Sequence, residues 1–562
     1  MQTKFKINNI VFTYIKYFLI LAITIAPYLR WTTITLHNIF PLVEALLIII
    51  ATQILPSKIK WITYVVSSLL YLLIMFQSFY RLQSATYVNL QAWLNVENLS
   101  ALGGKLPFYF LMIFILLIIA FYPARIDLLK GKVITKIIVF YIADLIAILV
   151  YIVGGAPVSA TPLSSTIQLF QTDIPNFYKD ARLQQKDQAK KINQIENEFK
   201  KPDVQSGISL PLKKPNVIVI FTEGMSASTL DYVNQKNLNL TPNLDQFAKE
   251  TINFKNYFNH TAATYHGIRG QLFSSEQFLH GYEYGIKNVS KLFDTKMVSL
   301  QSILKDHGYS TTMFNPEPES LPFQTYLENL GFDKVITSNN LSKKVGKNPG
   351  VNSIVTDGNN YQSILTNMKK EKSPFLYVTY TYQTHLSADY DYSKKGINDD
   401  RLNQFYSLDK NFGKFWNQFK KTKEYQNTIV VFTTDHATYP DPDFRDSFDE
   451  KQETFVAPIP LMIYYPNQQS KTINVNGKNS LSLAPTLLDL LNIENQQNYF
   501  LGKSLFVDSS EPLQYTSNVA GEFFSTKDSN VVYEKQQNLI EQIYRYYLLS
   551  VNYQKINLGV NK

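Results

Sequence analysis

Five long apolar runs lie within the first 154 residues of this 562-residue chain. They extend approximately over residues 10–29, 39–55, 61–80, 107–122 and 133–153. Most of them approach the roughly 20 residues that a helix needs to cross a hydrocarbon core of about 30 Å. Five such runs in succession are difficult to bury in a soluble core, so the pattern predicts five transmembrane helices.

Lysine and arginine are distributed unequally around these runs. One set of ends is rich in basic residues, namely Lys4, Lys6, Lys58, Lys60, Arg125, Lys130, Lys132 and Lys136. The opposite loops carry Arg30, Arg81 and Lys105. By the positive-inside rule the N-terminus is cytoplasmic, and five crossings place everything after about residue 155 outside the cytoplasm. We therefore expect a multi-pass protein of the bacterial cell (inner) membrane, and the absence of cysteine fits an exported domain without disulfides.

The remainder of the chain has two compositions. Residues 155–214 are polar and lysine-rich, which predicts a partly helical linker between a transmembrane domain at 1–154 and an extracytoplasmic domain at 215–562. In that domain short β-rich runs alternate with helical segments, so we predict an α/β fold with a mainly parallel sheet flanked by helices. The predicted strands are residues 216–221, 252–258, 310–315, 375–382, 428–434 and 460–465.

Polar side chains follow several of these predicted strands. Glu223 comes after the first strand, His385 after the fourth, and Asp435 and His436 after the fifth, while the second strand leads to Thr264. Open α/β sheets bind ligands beyond the carboxyl ends of their strands. These segments should therefore bring two carboxylates, two imidazoles and a hydroxyl to one edge, as a metal-assisted site requires.

The residue types indicate which chemistry such an edge could perform. A threonine hydroxyl is a poor nucleophile at neutral pH unless a base or a cation stabilises its alkoxide. A divalent cation held by Glu223, Asp435 and His436 would do this for Thr264 while polarising a phosphoester oxygen. Oxygen ligands with one nitrogen and no thiolate favour Mn, Mg or Zn. If Thr264 begins a helix, the free backbone N–H groups there would also attract a phosphate.

Several segments together resemble one enzyme superfamily. They are "NVIVIFTEGMSAS", "TPNLDQF", "TAATYHGIRGQ", "VFTTDHA" and "LAPTLLDLLNI". This set resembles the alkaline phosphatase/sulfatase superfamily, and its closest branch looks like the lipoteichoic acid synthase and phosphoethanolamine transferase group. The resemblance implies one catalytic divalent cation bound by Glu223, Thr264, Asp435 and His436, with Thr264 as the nucleophile. It also implies that His385 contacts the substrate phosphate or acts as an acid/base.

The sequence departs from the superfamily pattern in two places. Where an arginine is expected two positions after the nucleophile, this chain has His266, so substrate binding is expected to fall to His266 or Arg269. Sulfatases use a cysteine or serine converted to formylglycine, followed closely by proline and arginine. This chain has no cysteine, and "TYHGIR" lacks that proline, so sulfate ester hydrolysis is disfavoured.

These motifs also bear on the choice of nucleophile and on the start of one helix. Thr261 is an alternative nucleophile, and the family-like order in which a threonine precedes "YHG" favours Thr264. In "TPNLDQF" the position of Thr241 before Pro242 predicts a helix start capped by the threonine side chain.

The resemblance implies transfer of a phospho-headgroup from a membrane phospholipid to an extracytoplasmic glycan or lipid, without a nucleic-acid partner. Glycerol phosphate from phosphatidylglycerol is the preferred group, and phosphoethanolamine from phosphatidylethanolamine is the next. A phosphodiesterase or a sulfuric ester hydrolase on the same scaffold is an alternative. A catalytically silent, lipid-sensing membrane regulator is another. The sequence leaves the acceptor open between a teichoic acid chain, periplasmic glucan, lipid A and surface polysaccharide.

Overall fold

The structure is a computed structural model in which the chain forms two compact units, Met1–Asp180 and Ala181–Lys562. The boundary between the units falls inside the segment 155–214 that the sequence predicts as a linker. The structure describes residues 2–31, 39–54, 60–84, 87–88, 93, 106–123, 161–174, 188–200, 205–208, 210, 212–234, 236, 238–276, 297–316, 321–338, 355–371, 374–385, 388–440, 442–448, 450, 454–494, 498–519, 522–534 and 536–550.

The first unit contains four long apolar helices among its described residues. They are α1 (Gln2–Trp31), α2 (Phe40–Ile54), α3 (Lys60–Ser84) and α4 (Leu106–Phe121). By length and composition, two segments could cross a membrane, Val11–Arg30 in α1 and Tyr64–Gln83 in α3. The α2 and α4 helices have 15 and 16 residues, fewer than the roughly 20 needed for a straight crossing. The fifth apolar run lies outside the described residues, so the five-helix domain is not confirmed and stays a prediction.

Polar side chains inside the first unit contact helix ends. The ammonium group of Lys16 in α1 donates to the carbonyl of Ala120 in the last turn of α4, at 2.8 Å. A cation is favourable at a helix C-terminus. Glu44 in α2 accepts hydrogen bonds from the hydroxyl of Thr161 and from the N–H of Leu163, at the start of α5 (Pro162–Gln168). The beginning of the predicted linker therefore packs onto the first unit.

The second unit is built on an eight-stranded sheet with the order β4-β3-β5-β1-β6-β7-β2-β8. Its strands are β1 (Asn216–Thr222), β2 (Ile252–Lys255), β3 (Ser310–Phe314), β4 (Lys334–Ile336), β5 (Phe375–Tyr380), β6 (Thr428–Thr434), β7 (Met462–Tyr464) and β8 (Lys471–Asn474). The β7 strand is antiparallel to both of its neighbours, and the other pairings are parallel. All six predicted strands and the mainly parallel sheet are confirmed.

The described residues of the second unit form ten α-helices. They are α6 (Gln188–Phe199), α7 (Pro242–Ala248), α8 (Thr264–Phe273), α9 (Leu300–Asp306), α10 (Leu321–Glu328), α11 (Asp357–Met368), α12 (Asp400–Phe419), α13 (Pro442–Phe448), α14 (Leu483–Leu490) and α15 (Gln537–Ser550). Because successive side chains of a strand point to opposite faces, β1 contributes to two cores. Val219 and Phe221 pack with residues of α8, α9 and α14, whereas Ile218 and Ile220 pack with residues of α7, α11 and α12. Burial on both faces explains why the central strands are continuously apolar.

A small antiparallel sheet completes the second unit. It consists of β9 (Thr516–Val519), β10 (Glu522–Ser525) and β11 (Val532–Tyr533). A third apolar cluster, with Phe199 from α6, Phe523 from β10 and Tyr546 from α15, lies beside it. The sequence pattern did not predict these strands.

The prediction that the Thr241 side chain caps α7 is wrong. Thr241 is the N-cap residue and Pro242 the first helical residue, as predicted. However, the Thr241 side chain makes no capping hydrogen bond, because its hydroxyl accepts from the N–H of Asp231 at 2.8 Å. Oδ1 of Asp409 instead accepts from the N–H of Leu244, at 2.8 Å. A residue distant in sequence thus satisfies this helix end.

Candidate active site

The parallel pairing of β1 and β6 brings two carboxylates together. Thr222 lies opposite Thr434 at the carboxyl ends of these strands, and the next residues are Glu223 and Asp435. The N–H of Asp435 donates to the carbonyl of Thr222 at 3.1 Å, and Oδ1 of Asp435 accepts from the N–H of Gly224 at 2.9 Å. These bonds hold both acidic residues at the same edge of the sheet.

Glu223, Asp435 and His436 form one buried group whose potential ligand atoms all lie within 4.8 Å of one another. Nε2 of His436 lies 3.4 Å from Oε1 of Glu223 and 3.5 Å from Oδ2 of Asp435. Nδ1 of His436 lies 2.7 Å from the carbonyl oxygen of Ala437. Because a carbonyl oxygen can only accept, Nδ1 carries a proton, and Nε2 is the ring nitrogen that faces the two carboxylates.

Thr264 is the first residue of α8, and its Oγ1 donates to Oε2 of Glu223 at 2.9 Å. The preceding Ala263 has a φ of 75°, a left-handed conformation that is costly for a residue with a Cβ and is concentrated at functional sites. The N-cap residue of α8 is Ala263, which makes no side-chain capping hydrogen bond, and a helix start attracts an anion. The alternative nucleophile, Thr261, directs its hydroxyl to the carbonyl of Ala262 at 3.4 Å.

The electrostatics of the buried group favour a bound cation. Burial raises the pKa of Asp435, and the negative charge of Glu223 raises it further. Burial alone would lower the pKa of His436, but the two carboxylates raise it to about 9. Oδ2 of Asp435 is buried and accepts no hydrogen bond from the described residues. A buried carboxylate oxygen of this kind is costly unless it is paired or coordinates a metal.

The ligand atoms fit a hard or borderline divalent cation. Two carboxylates and one imidazole nitrogen, with a threonine hydroxyl beside them, are ligands that Mg, Mn and Zn accept. Glu223, Asp435 and His436 would hold the cation, and Thr264 lies within hydrogen-bonding distance of Glu223. The structure therefore brings together all four residues that the sequence predicts as metal ligands.

The loop after β5 places His385 beside this group. The His385 side chain is exposed, and its ring stacks on that of Tyr382 with centroids 5.1 Å apart. Burial raises the pKa of Glu223, but the hydrogen bond and charge of His436, with smaller contributions from His385 and Thr264, lower it to about 2. Thr384 donates its hydroxyl to the Glu223 carbonyl at 2.5 Å, and Gln404 donates to the His385 carbonyl at 2.9 Å. This loop is thus fixed by hydrogen bonds, and the predicted phosphate contact by His385 stays a prediction.

His266 and Arg269 project from other faces of α8. With 3.6 residues per turn, they lie about 200° and 140° around the helix from Thr264. Burial lowers the pKa of His266 to about 3, so its ring is neutral. The Arg269 guanidinium donates to the hydroxyl of Ser275 at 3.0 Å and lies 4.8 Å from the centre of the Phe273 ring. Both side chains are buried within the protein, and their predicted role in substrate binding stays a prediction without support from this geometry.

Sequence reasoning missed two residues that contact the site from α8. The side-chain amide of Gln271 donates to the carbonyl of Thr434 at 2.8 Å and to that of Asp435 at 3.3 Å. Gly267 lies so close to the same backbone that an added Cβ would be 2.1 Å from the carbonyl oxygen of Asp435. Gly267 and Gln271 follow Thr264 by three and seven residues, a spacing typical of one helix face. This spacing could have indicated that they face the same site as Thr264.

Comparison with known proteins agrees with this arrangement. The sulfatase family profile matches residues 215–493, the segment that contains Glu223, Thr264, Asp435 and His436. The matched segment, just under half of the chain, is similar to the sulfatase family. Sulfatase-superfamily enzymes use a divalent metal, and the buried group of this chain is suited to hold one.

Curated relatives of the chain include enzymes of two kinds. Lipoteichoic acid synthase 2 of Bacillus subtilis is 21% identical over 342 residues, which are 56% of this chain and 50% of that protein. An ulvan-active sulfatase of Formosa agariphila is 26% identical over 332 residues, 50% of this chain and 62% of that protein. The chain thus spans between half and about two thirds of these relatives.

Among solved structures, the lipoteichoic acid synthase LtaP from Listeria monocytogenes is similar with a TM-score of 0.49 and 16% identity. The match covers 64% of this chain and 97% of that chain. The predicted resemblance to lipoteichoic acid synthase-like members of the superfamily is confirmed.

Proposed function

We propose that this enzyme transfers a phospho-headgroup from a membrane phospholipid to an extracytoplasmic glycan or lipid, with Thr264 as the nucleophile. The observation that carries the proposal is the 2.9 Å hydrogen bond from Oγ1 of Thr264 to Oε2 of Glu223, inside a buried group suited to a divalent cation. The relationship to a lipoteichoic acid synthase supports a phospholipid donor. The two apolar segments in the first unit support a membrane anchor.

In the first half-reaction, Oγ1 of Thr264 attacks the phosphorus of the donor, and the bond from phosphorus to the diacylglycerol oxygen breaks. Oγ1 is held by its hydrogen bond to Glu223 and loses its proton to solvent as it attacks, and His385 protonates the departing oxygen. A phosphodiester of Thr264 and the headgroup remains. Glu223, Asp435 and His436 would hold a divalent cation, which would supply Lewis-acid stabilisation of the developing negative charge.

In the second half-reaction, the hydroxyl of the acceptor attacks the phosphorus of the Thr264 ester. His385 removes the proton of that hydroxyl, the bond from phosphorus to Oγ1 breaks, and Oγ1 recovers a proton from solvent. Thr264 is the first residue of α8, and the positive end of the helix dipole there favours the phosphate oxygens in both steps. Two sequential displacements predict ping-pong kinetics.

Glycerol phosphate from phosphatidylglycerol is the headgroup that we propose first, and phosphoethanolamine from phosphatidylethanolamine is the second. The cation is Mn, Mg or Zn. The distribution of basic residues around the apolar runs supports an extracytoplasmic second unit in a multi-pass protein of the bacterial cell (inner) membrane.

The test uses the full-length protein in lipid nanodiscs that contain phosphatidylglycerol or phosphatidylethanolamine, with Mn²⁺. We expect mass spectrometry to find glycerol phosphate on the peptide that carries Thr264, and diacylglycerol release to fall at least about 10³-fold in Thr264→Ala. Thr261→Ala is the matched control, because it removes a nearby hydroxyl that does not contact Glu223. An unmodified peptide with both lipids, together with equal release by Thr264→Ala, would contradict the transferase and favour a lipid-sensing regulator.

Two related reactions give different products in the same assay. A phosphodiesterase would release free glycerol phosphate whether or not an acceptor is present. A sulfuric ester hydrolase is supported by the relationship to the ulvan-active sulfatase. It would cleave 4-nitrophenyl sulfate and leave the lipids intact. The threonine at position 264, in a chain without cysteine, favours the phosphoryl reaction.

A further inference from the structure

We infer that Gln271 and Gly267 are positioning residues, which hold the nucleophile helix α8 against the backbone of Asp435. The inference rests on the proposed function, because it concerns the placement of Thr264 for attack. Residues 264, 267 and 271 are separated by three and four positions and so share one face of the helix. Thr264 contacts Glu223 from this face, while Gly267 and Gln271 contact the segment that carries Asp435.

Gln271 makes its contacts through one end of its amide. Nε2 donates to the carbonyls of Thr434 and Asp435, and the side chain is fully buried. Oε1 is buried and has no hydrogen-bond partner among the described residues. Burying an unsatisfied amide oxygen costs free energy that a leucine of similar size would avoid. The two hydrogen bonds that Nε2 donates to the backbone of Thr434 and Asp435 therefore offset this cost.

Gly267 permits the close approach of α8 to the same backbone. A Cβ at this position would lie 2.1 Å from the carbonyl oxygen of Asp435 and 2.7 Å from its carbonyl carbon. Relieving both contacts would require the helix or the Asp435 backbone to move by about 1 Å. Glycine at 267 and the amide at 271 thus define the position of α8 from two points along one face.

Asp435 connects the position of α8 to the buried group of the active site. Its carbonyl faces α8, and its carboxylate belongs to the buried group with Glu223 and His436. A shift of α8 against this carbonyl therefore changes where Oγ1 of Thr264 lies relative to the carboxylates. A misplacement of about 1 Å can lower a reaction rate about 100-fold, because the reacting atoms must be oriented before attack.

The test compares Gln271→Leu with Gln301→Leu in the full-length protein. Gln301 in α9 is a matched control: it is fully buried, its Nε2 donates to the carbonyl of Leu330 at 2.6 Å, and its Oε1 also has no partner among the described residues. In nanodiscs with phosphatidylglycerol, kcat and KM for diacylglycerol release are measured at saturating Mn²⁺, with the Mn²⁺ dissociation constant and the melting temperature.

We expect similar losses of melting temperature in the two variants, but a kcat about 10- to 100-fold lower only in Gln271→Leu. KM and the Mn²⁺ dissociation constant should change less than about threefold, since the residue acts through the placement of Thr264. Gly267→Ala should lower kcat in the same way, and it decides the question if Gln271→Leu does not fold.

Three results would overturn the inference. The first is a kcat in Gln271→Leu equal to that of Gln301→Leu. The second is a defect that disappears when Mn²⁺ is raised, which would assign Gln271 to cation affinity. The third is a wild-type kcat in Gly267→Ala. Turnover by Thr264→Ala, or no turnover by the wild type on either phospholipid, would instead remove the proposed function on which the inference rests.

Discussion

Two buried aspartates of the second unit differ in how their oxygens are satisfied. In Asp409, Oδ1 accepts from the N–H of Leu244 at 2.8 Å and Oδ2 accepts from the side-chain amide of Asn243 at 2.6 Å. In Asp435, Oδ1 accepts backbone hydrogen bonds, but Oδ2 accepts none from the described residues and lies 3.5 Å from Nε2 of His436. Buried polar groups are normally satisfied, so an exception beside a second carboxylate indicates a functional site.

Among substitutions that compare these two aspartates, Asp435→Asn should have the largest effect. The asparagine can keep the backbone hydrogen bonds to Oδ1 but replaces Oδ2 by an amide donor, which cannot bind a cation. We expect Mn²⁺ to bind more than about 100-fold more weakly and diacylglycerol release to fall at least as much. Calorimetric titration and the nanodisc assay measure these two changes.

The same substitution should stabilise the protein when cations are removed. With a chelator present, the wild type keeps Glu223 and Asp435 facing each other, whereas Asp435→Asn removes one of the two carboxylates. We expect the melting temperature of the chelated variant to exceed that of the chelated wild type by about 2 °C or more. An unchanged Mn²⁺ affinity, or a lower melting temperature in the chelator, would remove the distinction between the two aspartates.

A smaller effect on catalysis is expected for His385→Gln. This side chain is exposed, and its loop is held by hydrogen bonds from Thr384 and Gln404 that do not use the imidazole. The fold should therefore be unchanged. We expect kcat/KM for phosphatidylglycerol to fall about 10- to 100-fold, as for the loss of a hydrogen bond to a charged group, with Mn²⁺ affinity retained. A wild-type kcat/KM would exclude His385 from the reaction.

The sequence was sufficient for those parts of the fold and site that depend on local pattern and strand order. The continuous apolar runs at 216–221 and 428–434 predicted buried parallel strands, and strand ends in such a sheet share one edge. Glu223 and Asp435 are therefore neighbours, as predicted. By contrast, β8 is mostly exposed and has no apolar run to indicate it.

Contacts between distant segments were not predictable from local pattern. The hydroxyl of Thr241 accepts a hydrogen bond from the N–H of Asp231, so it does not cap the helix that it precedes. Gln271 contacts Thr434, a residue more than 160 positions away, and its role depends on how closely α8 approaches β6. The position of Arg269 in the sequence suggested that it binds phosphate. On its face of α8, however, its guanidinium donates to the hydroxyl of Ser275.

The smallest effect on catalysis is expected for Asp409→Ala. This change leaves the N–H of Leu244 and the amide of Asn243 without their acceptor, which costs about 1–3 kcal/mol of stability. It leaves Glu223, Asp435 and His436 intact, so kcat should stay within about twofold of the wild type. Thermal melting at pH 5 and the nanodisc assay at pH 7 measure both quantities.

The stability lost in Asp409→Ala should also depend on pH. Burial raises the pKa of Asp409 to about 6, above the value of about 3.9 for an unfolded aspartate, although the hydrogen bonds from Asn243 and Leu244 oppose the rise. Between about pH 4 and 6 the folded protein therefore binds more protons than the unfolded chain, and the stability contributed by Asp409 falls as pH rises. The alanine variant lacks this dependence, so its melting temperature should lie furthest below that of the wild type near pH 4 and approach it towards pH 7. A gap that widened with rising pH would mean that Asp409 is held as a stabilised carboxylate, as expected of a charged site and not of a satisfied structural group.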